Sequence, residues 1–160
     1  MSSTETNDEY WMQFAYEQAN LAASQDEIPV GAVIVSQNKV IGSGYNAPIK
    51  LSDPTAHAEI VAIRKACLVL ERFDLSDCSL YTTCEPCPMC YGAIHWARIP
   101  VVRFGATRDD AANIGFDDNL LYDLLSGKRT DTYLELKQLD HKECLKLFED
   151  YLKDPNRTPY

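Results

Sequence analysis

The stretch Ser79-Leu80-Tyr81-Thr82-Thr83-Cys84-Glu85-Pro86-Cys87-Pro88-Met89-Cys90-Tyr91-Gly92-Ala93-Ile94-His95-Trp96-Ala97 changes character in its middle. Residues 79–82 read as a strand and residues 87–97 as a helix. Cys84, Cys87 and Cys90 stand at every third position across the change. Either adjacent pair forms C-x-x-C, which suits a redox pair, a structural metal knuckle or half of a catalytic metal site.

Outward from this stretch the alternation continues. Residues 8–24 predict a helix, with Trp11, Phe14, Ala15 and Ala22 on one face and the polar Gln18 as its exception. Residues 30–35 are an apolar run typical of a buried strand, and 36–38 make a turn into a second strand over 39–44. Asp53-Pro54-Thr55 reads as a helix start capped by Thr55, leading into a helix over 56–70 with Ile60, Ile63, Cys67 and Leu70 on one stripe. A strand over 101–105, a short helix over 119–125, a strand near 133–136 and a helix over 141–152 follow. Five strands alternating with helices predict a layered α/β fold in one domain spanning residues 1–160, with a sheet made mixed by its opening hairpin. Residues 1–7 are expected to form a flexible N-terminus.

Composition narrows the setting. A chain of 160 residues suits a single core, and no apolar run reaches the roughly 18 residues of a membrane span. The N-terminus is polar and acidic, without the basic start and apolar stretch of a secretory signal, so a cytoplasmic location is expected. There cysteines stay reduced, which favours metal binding or catalysis over a disulfide framework. The net charge of −9 disfavours a nucleic-acid partner, because phosphate is held by Lys and Arg.

His57 starts one predicted helix, and Cys87 and Cys90 start another. The two cysteines share a face at i, i+3. The partial positive charge of a helix N-terminus favours thiolates. Two thiolates and an imidazole are three zinc ligands, and three protein ligands leave a fourth position for water. Glu59, two residues after His57, reaches the same point off the helix end and has the chemistry of a proton shuttle.

His57-Ala58-Glu59 and Pro86-Cys87-Pro88-Met89-Cys90 together resemble the H-x-E…P-C-x-x-C signature of the zinc nucleoside and nucleobase deaminases. The resemblance implies a cytidine deaminase-like three-layer α/β/α fold with a mixed five-stranded sheet. It implies one zinc ion per chain on His57, Cys87 and Cys90, and Glu59 as the catalytic acid and base. Cys84 is then a packed neighbour and Cys67 a core residue, while Cys78, Cys144, His95 and His141 carry no signal.

Two families within this group divide the remaining likeness. Glu27-Ile28-Pro29-Val30-Gly31 and Asp53-Pro54-Thr55-Ala56-His57-Ala58-Glu59 are similar to tRNA adenosine deaminases. Arg64-Lys65-Ala66-Cys67, the Cys84–Cys90 stretch, Gly92-Ala93-Ile94-His95-Trp96-Ala97-Arg98 and Gly115-Phe116-Asp117-Asp118 resemble bacterial guanine deaminase. That second likeness implies a free purine base as substrate, with guanine converted to xanthine and ammonia. It makes Asn46, Asp118 and the C-terminal Tyr160 substrate contacts. It also implies a homodimer in which residues 139–160, a helix and tail, close the active site of the partner. Residues 139–160 hold Lys142, Lys146, Lys153 and Arg157 against Asp140, Glu143, Glu149, Asp150 and Asp154, a balance unsuited to gripping an anticodon loop. Wobble-position tRNA deamination is the alternative reading. A silent zinc-binding scaffold is a further one, and an intact Glu59 argues against it.

Overall fold

The computed structural model describes residues 7–158. Within them run helix α1 (Asp8–Ala23), the hairpin β1 (Gly31–Ser36) and β2 (Lys39–Tyr45), and helices α2 (Pro48–Leu51) and α3 (Ala58–Leu70). Strand β3 (Ser79–Cys84), helix α4 (Pro88–Trp96), strand β4 (Val101–Ala106) and helices α5 (Arg108–Asn113), α6 (Asn119–Leu125) and α7 (His141–Lys153) follow.

One mixed sheet has the order β2-β1-β3-β4, antiparallel except for the parallel pair β3 and β4. Alternation along β1 sorts its side chains to two faces. Val33 and Val35 join Tyr81 and Trp11 of α1 in one apolar cluster. Ala32 and Ile34 join Leu80, Ala58, Ala62 and Ile94 in another, under α3 and α4. This is the expected three-layer α/β/α arrangement. The N-terminal end of α1 is fastened to the sheet by Asp8, which accepts from Tyr81 Oη and Arg103 Nε, both at 2.7 Å.

Helix α3 lies unusually close to β2 because Gly44 has no side chain. A Cβ there would sit 2.3 Å from the Ala58 carbonyl oxygen. This contact sets the height of the α3 N-terminus above the sheet, and that end carries His57 and Glu59.

Among the described residues the sheet has four strands, one fewer than the sequence predicts. Residues 133–136 form no strand. The backbone N–H groups of Tyr133 and Leu134 both donate to Asp131 Oδ1, at 2.8 and 2.9 Å, so the segment is a turn closed by a side chain. An isolated extended segment gains nothing without a ladder partner, and this chain presents none to it. The helix start near residue 55 also differs. Asp53 Oδ1 accepts from Thr55 N and Oγ1, and the helix begins at Ala58 with His57 as its N-cap. Helices α2 and α5 are additional to the sequence reading. In α5 the Asp110 carboxylate is engaged in a capping box with Thr107 rather than being held ready for a ligand.

Candidate metal centre and active site

Two helix ends build the centre in the same way. His57 and Cys87 are both N-cap residues, with φ, ψ of −69°, 154° and −66°, 168°. An N-cap is usually Ser, Thr, Asp or Asn, whose side chain bonds back to the first turn, and losing that bond costs about 1 kcal/mol. Neither His57 nor Cys87 makes such a bond. Extended backbone at the cap instead aims both side chains off the helix ends toward a common point. Cys90, on the first turn of α4, reaches the same point and is fully buried.

His57 Nδ1 lies 3.5 Å from Cys87 Sγ and 3.6 Å from Cys90 Sγ, and the three donor atoms fall within 4.8 Å of one another. A tetrahedral zinc with bonds of about 2.3 Å to sulfur and 2.0–2.1 Å to nitrogen separates N from S by about 3.5–3.6 Å. The donor set and its spacing therefore fit zinc.

Charge is distributed accordingly. The Cys87 thiol is held down to about 4, first by the hydrogen bond from Cys90 and then, against burial, by His57. Cys90, the donor of that bond, is pushed up by it and by burial. His57 is raised, chiefly by its hydrogen bond with Cys87. Glu59 is 3% exposed, and burial lifts its carboxyl to about 7. A carboxyl near neutrality can both take and return a proton. Cys84 is buried beside the centre, and burial pushes its thiol up to about 11, so it is a neutral packing group at ordinary pH.

The loop after β2 brings Asn46 alongside. Asn46 N donates to the Val30 carbonyl at 2.9 Å and Ala47 N to the Ala56 carbonyl at 3.0 Å, tying this loop to the approach to His57. Asn46 itself is buried. From the other side, the Phe116 ring packs 5.5 Å from the His57 ring. The neighbouring aspartates take different roles. Asp117 Oδ1 accepts from Asn119 N at 2.9 Å, whereas Asp118 makes no capping bond. Asp118 Oδ1 is buried with no hydrogen-bond partner among the described residues, and its carboxyl is raised by burial and then by the Cys87 charge. A cavity of about 290 Å³ beside the centre is lined by Ile28, Pro29, Val30, Cys84 and Phe116 among others. Tyr160 lies outside the described residues. Sequence reasoning missed Arg108 and Tyr122, which reach the metal-ligand loop from distant positions with no motif to announce them.

Residues 5–106 match the family described as the cytidine and deoxycytidylate deaminase zinc-binding region. The chain belongs to that family. Among deaminases, guanine deaminase from Bacillus subtilis is 45% identical over 132 residues, covering 82% of this chain and 85% of that one. Its crystal structure superposes with a TM-score of 0.90 at 41% identity, covering 96% of this chain and 99% of that one. The tRNA-specific adenosine deaminase of Buchnera aphidicola subsp. Schizaphis graminum is 37% identical over 148 residues, 92% of this chain and 95% of that one. The deaminase fold thus extends past the zinc-binding region into the α5–α7 segment, with guanine deaminase the stronger structural likeness.

Proposed function

We propose that this protein is a zinc-dependent aminohydrolase of a free purine base, converting guanine and water to xanthine and ammonia. The observation that carries the substrate choice is Asp118 Oδ1, a buried acceptor that has no partner among the described residues and lies within electrostatic reach of Cys87 and His57. Leaving such an acceptor unpaired is costly, so the site suits a ligand that donates to it. Guanine has a ring N–H on its six-membered ring besides the amino group that leaves, whereas adenine has no donor on that ring.

His57, Cys87 and Cys90 would hold the zinc, which supplies a Lewis acid that brings a water proton within reach of a carboxylate at neutral pH. Glu59 accepts that proton while the water oxygen bonds to the amino-bearing carbon. It passes that proton to the ring nitrogen, then takes the remaining proton of the newly bound hydroxyl and gives it to the departing amine, so that a carbonyl forms as the C–N bond breaks and ammonia leaves. Asn46, with a donor and an acceptor on one amide, and Asp118 orient the base.

The same reading takes the protein as a cytoplasmic homodimer of single-domain subunits. Residues 139–160 of one subunit cover the active site of the other, with Tyr160 as the closing ring. Helix α7 supports this. It buries no residue, and Phe148 and Leu152 are 70% and 63% exposed on an amphipathic helix. Such a face calls for a second surface. No helix among the described residues is long and apolar enough to cross a membrane.

Two assays test the proposal. Purified protein is offered free guanine and, separately, an anticodon stem-loop, with ammonia and inosine measured. Turnover of guanine is expected; inosine formation with no ammonia from guanine overturns the substrate assignment. Glu59→Gln is expected to keep its zinc and lose deamination by about 10²–10⁴-fold, the range of a positioned acid and base.

A further inference from the structure

Helix α6 has Asp118 as its N-cap, is only seven residues long and buries none of them. Packing alone gives it little to fix its roll or height. One polar chain of contacts does. Tyr122, one turn after Asp118, donates its Oη to the Pro86 carbonyl at 2.9 Å. Pro86 is the residue before the ligand Cys87. The Arg108 guanidinium lies 4.3 Å from the centre of the Tyr122 ring, on its face. Arg108 is held in turn by Glu85, whose carboxylate accepts from the Arg108 backbone N–H at 2.9 Å and pairs with the guanidinium at 3.3 Å. Glu85 N closes the circuit by donating to the Ala106 carbonyl at 2.8 Å.

These contacts join three segments that are far apart in sequence. The Cys84–Cys87 loop, the start of α5 and α6 meet where the Glu85 carboxylate holds the Arg108 guanidinium over the Tyr122 ring. The guanidinium is suited to this because it pairs with a carboxylate in its plane while offering its face to a ring. Since Asp118 and Tyr122 share one face of α6 at i, i+4, fixing Tyr122 to Pro86 fixes Asp118 against Cys87.

We propose that Tyr122, backed by Arg108 and Glu85, is a positioning residue that sets where the Asp118 carboxylate stands relative to the metal ligands. The proposal rests on the assignment of Asp118 to the purine and supplies the mechanical basis for it. Tyr122 touches neither substrate nor metal; it acts through Asp118.

The test uses zinc-loaded full-length protein and four forms: wild type, Tyr122→Phe, Asp118→Ala and the double variant. Tyr122→Phe keeps the ring under Arg108 and removes only the hydroxyl. It is expected to retain full zinc content and to raise KM for guanine about fivefold, with a smaller change in kcat, the scale of one hydrogen bond. In the Asp118→Ala background the same change is expected to alter kcat/KM less than twofold, because the residue it positions is gone. An equal loss in both backgrounds, or unchanged kinetics in the single variant, overturns the proposal.

If wild type fails to deaminate guanine, the functional reading fails separately, and amide hydrogen exchange decides the strap. Tyr122→Phe must then speed exchange across residues 118–125 and leave α3 unchanged; no change in α6 overturns it.

Discussion

Gly44→Ala probes how the sheet sets the height of the active site. The added Cβ would stand 2.3 Å from the Ala58 carbonyl oxygen and 2.7 Å from Ala62 N, where ordinary contact begins at 3.4 Å. Both neighbours are backbone atoms of α3, so no side chain can swing away. Relief requires the helix to rise from β2 by about 1.1 Å at its first turn, from the difference between 3.4 and 2.3 Å. Ala58 lies between His57 and Glu59, so that displacement acts directly on the proposed zinc ligand and the proposed proton shuttle. Overpacking of this kind costs about 1–3 kcal/mol, or about 2–12 °C in Tm for a chain of this length. A 1 Å misplacement of reacting groups costs about 10²-fold in rate. The measurements are thermal unfolding, zinc content and guanine turnover on one preparation. Gly92→Ala is the control: a Cβ at this helical position meets nothing within 4 Å, so it should be neutral or stabilising. Wild-type turnover and Tm in Gly44→Ala would refute the claim that this contact sets the geometry of the centre.

Other perturbations reach different parts of the molecule. Removing zinc with a chelator is expected to lower Tm, since the metal binds the folded ligand set and not the unfolded chain; readdition should restore it, as followed by calorimetry. Asp74 has its carboxyl lowered to about 2 by hydrogen bonds from Ser76 and then by Arg98. Its folded value is depressed, so its contribution is present above the ordinary carboxylate range and fades as pH falls from about 4 toward 2. Asp74→Asn should therefore flatten that part of an acid-unfolding curve and leave the rest unchanged. Replacing Phe148 and Leu152 together by Glu should leave circular dichroism intact and shift sedimentation from dimer to monomer, with turnover falling; a dimer of full activity would rule out α7 as the interface.

The parts of the site legible from sequence are those in which a short spacing on one helix end is itself the geometry. His57 and Glu59 lie within one turn of the α3 start, and Cys87 and Cys90 within one turn of the α4 start. Only the meeting of the two helix ends was tertiary, and the joint demand of zinc for imidazole and thiolate made it readable. The layered fold was legible because strand and helix patterns alternate along the chain, and the continuous apolar run of β1 fits a strand covered on both faces, with Val33 and Val35 on one and Ala32 and Ile34 on the other. The fifth strand was misread because β propensity around Tyr133 to Leu136 says nothing about a pairing edge, and Asp131 takes the N–H groups a ladder would use. The Thr55 cap was misread because Asp53 engages Thr55 first. The Tyr122 to Pro86 contact spans 36 residues and depends on a stack that no local pattern encodes.

The use of a cap position for a proposed ligand explains why three similarly spaced cysteines have such different surroundings. Cys87, as an N-cap, has extended backbone that places its sulfur off the N-terminal end of α4, where the helix dipole favours a thiolate. Cys90, three residues on, is carried back to the same side by the helix itself. Cys84 belongs to β3, where its side chain joins the apolar cluster beneath α3 and α4. There burial, reinforced by the charges of Glu59, Asp118, Glu85 and Cys87, drives the thiol up to about 11, against about 4 for Cys87. The strand-to-helix transition thus separates a packed thiol from the two proposed metal ligands within seven residues.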